Sequence, residues 1–236
     1  MVIKLYCPIS FSQKALIALP KEEHHHLIHV LRAKKGDPLL LINGFGQGAE
    51  GTLVACNATQ ATVQIHSLIE EPLSQITIAM GMSLFSHLQW AIEKGTELGV
   101  ASFWIFPGER SAKMNLSAQQ KERLQKLSIS AMKQSGRLTL PEILLKEPLT
   151  MWKRQKATMQ FFADPRPSAP FLWAGEHSLS TPIVLYIGPE GGWSPNERLH
   201  LEDVQKAKPV RLYTHILRAE TAVVAGITIL QSLLIK

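Results

Sequence analysis

Ile187-Gly188-Pro189-Glu190-Gly191-Gly192-Trp193-Ser194-Pro195-Asn196-Glu197 puts three glycines and a proline between an apolar, strand-like run (183–187) and a helix start. Ser194 stands three residues before Glu197, the spacing of a capping box, and Pro195 suits a first helical turn. A strand ending in a Gly-rich turn at a helix N-terminus leaves backbone N–H groups pointing outward. That suits a polar ligand with anionic or carboxylate character. Gly188, Gly191 and Gly192 would let the backbone approach such a ligand closely. A second stretch, Leu217-Arg218-Ala219-Glu220-Thr221-Ala222, repeats the design after a strand-like run at 210–212. Two loops at the carboxyl ends of strands in one α/β unit are where open sheets place ligands. Arg218 heads a helix, where the dipole gives a cation nothing, so its charge has another use, either stabilising developing negative charge or pairing with Glu190. Glu220 is placed either for chemistry or to compensate the same dipole.

The elements that must position these residues change character near residues 70–74. Before that point lie short β-like runs at 3–6, 38–43, 51–55 and 62–68, separated by turn clusters such as Asn43-Gly44-Phe45-Gly46-Gln47-Gly48. One helix interrupts them, starting near Lys21 after Pro20 and ending by Gly36. Beyond Glu70-Glu71-Pro72-Leu73-Ser74 the pattern predicts strands at 76–82, 102–107, 159–163, 183–187 and 210–212. Helices are predicted at 85–98, 117–135, 195–206 and 218–234. Alternation of this kind argues a parallel α/β sheet. Phe85, Leu88, Ile92 and Leu98 make one apolar stripe for packing on that sheet. The last helix is apolar almost all round, so both of its faces want burial, in the core or against a partner.

The chain has 236 residues, a formal charge of +6 and a pI of about 9.4, which permits a polyanionic partner. From Arg110 to Arg137 there are seven basic residues (Arg110, Lys113, Lys121, Arg123, Lys126, Lys133, Arg137) and one acid, Glu122, so this segment alone carries the whole excess. With acids nearly absent, the charges are expected to be unneutralised within their own helix, as in a nucleic-acid footprint rather than a plain solvated face. The two cysteines, Cys7 and Cys56, have no metal-site spacing and suggest no oxidising compartment. MVIKLYCPIS has no apolar core for a signal peptide. The longest apolar run, 219–235, is broken by Thr221, Gly226, Thr228, Gln231 and Ser232, so no membrane span and a cytoplasmic location are expected.

Two residue groups invite competing readings. His24, His25, His26 and His29 include an i,i+4 pair, His25 and His29, but no nearby cysteine or carboxylate pair completes a tetrahedral set, so no metal is expected. Trp90 and Trp104 are expected in the core, whereas Trp193, in the loop before a helix, is placed to border a ligand. A dinucleotide-dependent enzyme would want Gly-x-Gly-x-x-Gly after the first strand of a βαβ unit, and this Gly loop lies late and continues Trp-Ser-Pro.

Gly188-Pro189-Glu190-Gly191-Gly192 followed by Leu217-Arg218-x-Glu220-Thr221-Ala222 resembles the paired motifs of the RsmE family, the ribosomal RNA small subunit methyltransferase E enzymes of the SPOUT class. The resemblance extends to His87-Leu88-Gln89-Trp90 with Glu93-Lys94-x-x-Glu97-Leu98-Gly99-Val100, and to Glu109-Arg110-Ser111. Ala131-Met132-Lys133-Gln134-Ser135-Gly136-Arg137 and His26-Leu27-Ile28-His29-Val30-Leu31-Arg32 with Gly36-Asp37 complete it, so the match spans nearly the whole chain in family order. The chain departs from the pattern where Leu212-Tyr213-Thr214-His215 stands for Leu-Gly-x-Arg, and where Lys133 stands for a frequent Glu.

The resemblance implies a small PUA-like β-barrel over 1–72, serving RNA binding. It implies a SPOUT α/β domain over 73–236, whose parallel sheet ends in a C-terminal trefoil knot holding the cofactor. Pattern physics alone would not suggest a knot. It further implies a homodimer acting on 16S rRNA of the small ribosomal subunit, with S-adenosylmethionine as donor and N3 of a decoding-region uridine as acceptor. The implied cofactor residues are Ala163 and Pro165, then Ile187, Gly188, Pro189, Glu190, Gly191 and Gly192, then Leu212, Ile216, Leu217 and Thr221. Arg218 and Glu220 are the catalytic candidates. Candidate RNA contacts are Lys4, Arg32, Arg110, Arg123, Lys126 and Arg137. The alternative is a non-catalytic RNA-binding or ribosome-assembly protein of the same fold, favoured only by Tyr213 and His215.

Overall fold

The structure is a computed structural model that describes residues 2–111, 115–156, 159–174 and 182–234. Lys113 of the basic segment and Ile235 of the last apolar run lie outside the described residues. The chain forms two compact units. One comprises the residues to Leu73 together with Ile129–Leu140, and the other Ser74–Ser128 with Pro141 onward.

The first unit contains β1 (Ile3–Tyr6), β2 (Leu16–Ala18), α1 (Lys21–His29), β3 (Pro38–Ile42), β4 (Gln47–Cys56) and β5 (Ala61–Glu70). They form a five-stranded sheet in the order β1-β3-β4-β5-β2, antiparallel except where β1 runs parallel to β3. Register shifts at Glu50/Gly51 and Leu53/Ala55 interrupt the β4–β5 ladder, and such irregularities bend and twist a sheet. Gly51 sits at the first of them, where a Cβ would come 2.5 Å from the Gln64 carbonyl oxygen. The core is built from Leu5, Leu27, Leu39, Leu41, Leu53, Val63 and Ile65. The Cys7 thiol is pushed up to about 11, first by burial and then by the Glu23 charge.

The second unit contains β6 (Ile76–Gly81), α2 (Phe85–Glu97), β7 (Ser102–Phe106), the start of α3 (Ala118–Ser135), β8 (Glu142–Leu145) and β9 (Met159–Ala163). It continues with β10 (Ile183–Ile187), α4 (Pro195–His200), β11 (Lys208–Val210) and α5 (Ala219–Leu234). Its six strands run in the order β11-β9-β10-β6-β7-β8, every adjacent pair parallel. The parallel α/β expectation is therefore met.

Alternation along the strands sorts the core into two layers. Ile183, Leu185 and Ile187 of β10 join Ile78, Met80, Phe103, Ile105 and the α2 and α5 residues Leu88, Ile92, Val223, Ile227 and Leu230. Val184 and Tyr186 join Phe106, Trp152, Phe162, Trp193 and Leu201 on the opposite face. Both faces are covered, so β10 reads as a continuous apolar run, as parallel strands do. Gly226 lets α5 lie directly on β10, since a Cβ there would collide with Leu185.

Several elements differ from expectation. The strand expected at 210–212 lies instead at Lys208–Val210; beyond it the pairing passes from β9 to Phe171, with which Arg211 makes a single parallel bridge, donating to Pro170 O at 2.8 Å. The helix expected at 195–206 is α-helical only to His200. It widens into a π turn at Leu201–Gln205 and stops at Lys206, which takes a left-handed φ of 58°. Neither β2 nor β8 is evident in the sequence pattern. Trp90, expected in the core, is 41% exposed on α2, because the side turned to the sheet is taken by Leu88, Ala91 and Ile92. Trp104 is half-buried beside the second layer, with the Lys146 ammonium 5.0 Å from its ring centroid.

Candidate active site

The carboxyl ends of β9 and β10 and the segment after β11 open onto one cavity of about 620 Å³. Ala163, Asp164 and Pro165 line it from β9, and Ile187, Gly188, Pro189, Glu190, Gly192 and Trp193 from β10. Leu212, Tyr213, His215, Ile216 and Leu217 contribute from the segment before α5, whose first turn adds Arg218, Ala219, Glu220 and Ala222. His87, Arg110 and Arg198 complete the wall. The structure thus brings together ten of the twelve residues expected around the cofactor, plus Arg218 and Glu220. Thr221 lies exposed on the first turn of α5 and does not line the cavity.

The glycine loop is held by specific contacts. Pro189 packs so tightly that a Cβ on Gly81 would lie 2.6 Å from it and one on Gly108 2.9 Å. Gly192 turns the chain with φ of 69° and donates its N–H to Pro189 O at 2.8 Å. The Trp193 indole N–H then bonds Ala163 O at 2.8 Å, joining the loop to the end of the next strand. Ser194 caps α4 as its spacing indicates: its Oγ accepts from Glu197 N at 3.0 Å, and Glu197 Oε2 accepts from Ser194 N at 2.9 Å. The other Glu197 oxygen accepts from Glu109 N at 3.0 Å, fixing the segment that carries Arg110. Gly191 serves that segment rather than the cavity, since a Cβ on it would meet Arg110 O at 2.8 Å. Arg110 Nη1 donates back to Gly191 O at 3.4 Å.

Charged groups occupy two places on the wall. In one, Asp164, its side chain fully buried, accepts from Arg198 Nη1 at 2.5 Å and from Arg166 Nε at 2.9 Å. Burial alone would raise its carboxyl, but the hydrogen bonds from Arg198 and Arg166 outweigh burial and hold it below the usual range. In the other, His87 Nδ1 stands 2.6 Å from Glu190 Oε1 and 3.8 Å from Glu220 Oε2. Glu190 also accepts from Leu84 N at 3.4 Å. Glu220 Oε2 is buried without a hydrogen-bond partner. Arg218 does not pair with Glu190. Its carbonyl accepts from Ala222 N at 2.8 Å, which makes it the N-cap of α5, and its guanidinium has no hydrogen-bond or ion-pair partner among the described residues.

His87 and Arg198 are wall residues to which sequence reasoning gave no role of their own, whereas Asp164 falls in the turn Ala163-Asp164-Pro165-Arg166 that the resemblance places around the cofactor. His87 stands beside the apolar stripe of α2, and only the placement of β10 and α5 gives it two carboxylates. Arg198 had one signal, its place in the first turns of a helix already tied to the glycine loop.

The basic segment is less open than its composition implies. Lys126 pairs with Glu122 at 2.7 Å within α3, and Arg123 lies 5.8 Å from the Phe85 ring centroid. In the first unit Lys133 pairs with Glu23 and Arg137 with Glu71, each at 2.7 Å, and Lys4 Nζ donates to Gln134 O at 3.2 Å. Arg32 is exposed at a positive φ of 52°. His24 bonds Asn57 O at 3.0 Å, and the rings of His25 and His29 lie 4.4 Å apart. Among the described residues no group of three or more His, Cys, Asp or Glu side chains could hold a metal ion, and no helix is long and apolar enough to cross a membrane.

Residues 69–231 match the family model described as an RNA methyltransferase domain. Ribosomal RNA small subunit methyltransferase E of Synechocystis is 31% identical over 230 residues, covering 94% of this chain and 74% of that protein. Ribosomal RNA small subunit methyltransferase E from Neisseria gonorrhoeae, crystallised bound to S-adenosylmethionine, superposes with a TM-score of 0.89 at 27% identity, over 99% of this chain and 98% of that one. A methyltransferase from Legionella pneumophila, in complex with the same cofactor, gives 0.86 at 27% identity over 98% of both chains. With its parallel sheet, its paired loops and these likenesses across its length, the chain belongs to the ribosomal RNA small subunit methyltransferase E family.

Proposed function

We propose that this protein transfers the methyl group of S-adenosylmethionine to N3 of a uridine in the decoding region of 16S rRNA. The observation that carries the reading is the convergence of the glycine loop and the Arg218 loop on one cavity. At about 620 Å³ the cavity falls within the ~300–1,000 Å³ usual for small-molecule sites. The donor set also fits: backbone at Gly188 and Gly192, apolar walls from Ile187, Leu212 and Leu217, and the Glu220 carboxylate, whose Oε2 has no hydrogen-bond partner among the described residues, for a cationic group. These residues, with Ala163, Pro165, Pro189, Glu190 and Ile216, would hold the cofactor, which supplies a methyl already activated by its sulfonium.

The chain's own contribution is alignment and charge. Uracil N3–H is a weakly acidic imide, so reaction is helped by stabilising negative charge on the ring oxygens and by holding the ring in line. Arg218, which lines the cavity with a guanidinium that has no partner among the described residues, is assigned to that charge. RNA is drawn by Arg110 at the cavity and by Arg123 and Lys126 on α3. The N-terminal part (1–72), read as a PUA-like barrel with Lys4 and Arg32, and Arg137 also contribute. The 73–236 part is read as a knotted SPOUT domain. The protein is read as a homodimer, as the family resemblance implies, with Ile216, 83% exposed in the cavity lining, available to a partner copy. A cytoplasmic site of action follows from the substrate.

The test is a map of 16S rRNA methylation, by primer extension and mass analysis, in a strain lacking the protein, with S-adenosylmethionine titrated calorimetrically into the purified chain. Loss of one N3-methyluridine, restored by the wild-type chain, is expected. An unchanged map together with no heat of binding would overturn the reading.

A further inference from the structure

The glycine loop and α5 place two carboxylates around one imidazole on the cavity wall. His87 Nδ1 is 2.6 Å from Glu190 Oε1 and 3.8 Å from Glu220 Oε2. An ionised carboxylate only accepts hydrogen bonds, so at 2.6 Å the proton belongs on Nδ1. The second ring nitrogen of the neutral imidazole is then a lone-pair acceptor, on a side chain that lines the cavity and stays partly exposed. A carboxylate that fixes the tautomer of a histidine is the arrangement by which proteins make imidazole a proton acceptor. The proposed reaction needs such a group, because the imide must lose a proton to be methylated. Arg110 and Arg218 line the same cavity but, as permanent cations, cannot accept one.

We infer that His87, held by Glu190, accepts the N3 proton of the substrate uracil, with Glu220 as the second counter-charge. This rests on the methyl-transfer reading above. The proton of N3 passes to Nε2, and the electron pair left on N3 forms the bond to the methyl carbon. The carbon–sulfur pair departs with the sulfur of the sulfonium donor, leaving a thioether. The ring, now protonated on both nitrogens, loses the proton to water after product leaves. Among the described residues, Glu190 and Glu220 are the charged groups within 4 Å of the imidazole.

The experiment uses the full chain with small subunits and S-adenosylmethionine. Nitrogen-15 NMR of the free protein should show His87 as the Nδ1–H tautomer, and E190Q should lose that preference. In single-turnover methylation the wild-type rate should rise with pH and level off. H87Q should be slower by about 10²-fold near neutrality, the range of a lost general base, and its rate should keep rising with pH as the imide ionises unaided. S-adenosylmethionine affinity should change less than about threefold, and added imidazole should restore part of the rate of H87A but not of H87Q. Wild-type pH dependence retained in H87Q, or an Nε2–H tautomer in the wild type, would overturn the inference while leaving the methyl-transfer reading intact. Failure of the wild type to methylate any uridine would overturn both.

Discussion

The indole N–H of Trp193 bonds the carbonyl of Ala163 at 2.8 Å, so the glycine loop after β10 is fastened to the end of its neighbour β9. Both residues line the cavity. The ring itself is buried, 6.3 Å from Phe106 in a stacked arrangement and 6.3 Å edge-on from Phe162. One side chain therefore joins the second core layer to two walls of the site.

Trp193→Phe separates the ring from its hydrogen bond. The phenyl keeps most of the packing, but the Ala163 carbonyl loses its partner, which costs about 1 kcal/mol or somewhat more when the group stays dry. For a chain of this size each such kilocalorie lowers Tm by roughly 2–4 °C. The expected result is that shift, with S-adenosylmethionine affinity several-fold weaker because the loop is no longer pinned. Scanning calorimetry with and without cofactor measures both. An unchanged Tm and an unchanged affinity would show that the loop is held by Pro189 and the α4 cap alone.

Asp164 gives a pH signature of defined sign. Arg198 and Arg166 hold the folded carboxyl below its ordinary value despite burial, so the folded pKa lies below an unfolded value of about 3.9. Stability from this group is fully present above the unfolded value and is lost as pH falls through the folded one. Asp164→Asn should therefore destabilise by a constant amount above about pH 5, on the order of 1.5–3 kcal/mol for lost charged hydrogen bonds. The gap from wild type should close as pH falls below about 4. Urea melts of both proteins across pH 3–8 test this, and a gap that widens on acidification would contradict it.

Turn chemistry made much of the site legible in the sequence. Ser194, Pro195 and Glu197 announce their helix by type and spacing, and the box forms as written. The apolar run of β10 is bounded correctly because parallel strands buried on both faces have nothing but apolar residues to offer. What stayed hidden depended on long-range neighbours. The histidine at 87 is bonded to a residue 103 positions away. Gly191 looks like a ligand-facing glycine, yet its open side is taken up by Arg110, so Gly191→Val would displace that segment before it touched a ligand. Lys133 and Arg137 look unneutralised in sequence because their acids, Glu23 and Glu71, come from much earlier in the chain. The short β2 has too few residues to show a period, and β8 carries its apolar residues at an edge.

Arg218 allows affinity to be separated from rate. It caps α5 with its backbone, which alanine would retain, while its guanidinium at the cavity has no partner among the described residues. Arg218→Ala should leave Tm within about 1 °C, as surface changes away from packed features usually do. Turnover should fall ~10²–10³-fold if the charge is felt mainly in the transition state. Arg218→Lys should recover little where a planar fork is required. Single-turnover methylation beside cofactor titration distinguishes this from a binding role, which would instead weaken affinity with the rate at saturation unchanged.

Four basic residues of α3 and the segment just after it fall into two groups with opposite expected phenotypes. Lys121 and Arg123 are exposed, and neither has an acid partner among the described residues. Lys133 and Arg137 are paired and only about one-fifth exposed. If the first group meets phosphate, reversing both to Glu should weaken small-subunit RNA binding by tenfold or more near physiological salt. It should also reduce the magnitude of the log Kd against log salt slope by about one to two, since each phosphate contact contributes slightly less than one released counterion. Melting temperature should change little, because no ion pair among the described residues is removed and the Arg123 guanidinium over the half-buried Phe85 ring is worth about 0.5–1 kcal/mol at most. Lys133→Glu and Arg137→Glu should do the reverse: each leaves two acids facing one another in a partly buried site, which lowers stability, while the salt slope of whatever remains folded stays close to wild type. Filter binding over 50–300 mM salt, with melts on the same samples, separates the two groups. A double reversal at Lys121 and Arg123 that leaves the slope unchanged would make that face of α3 a solvated surface and move the RNA footprint toward Arg110 and the cavity mouth.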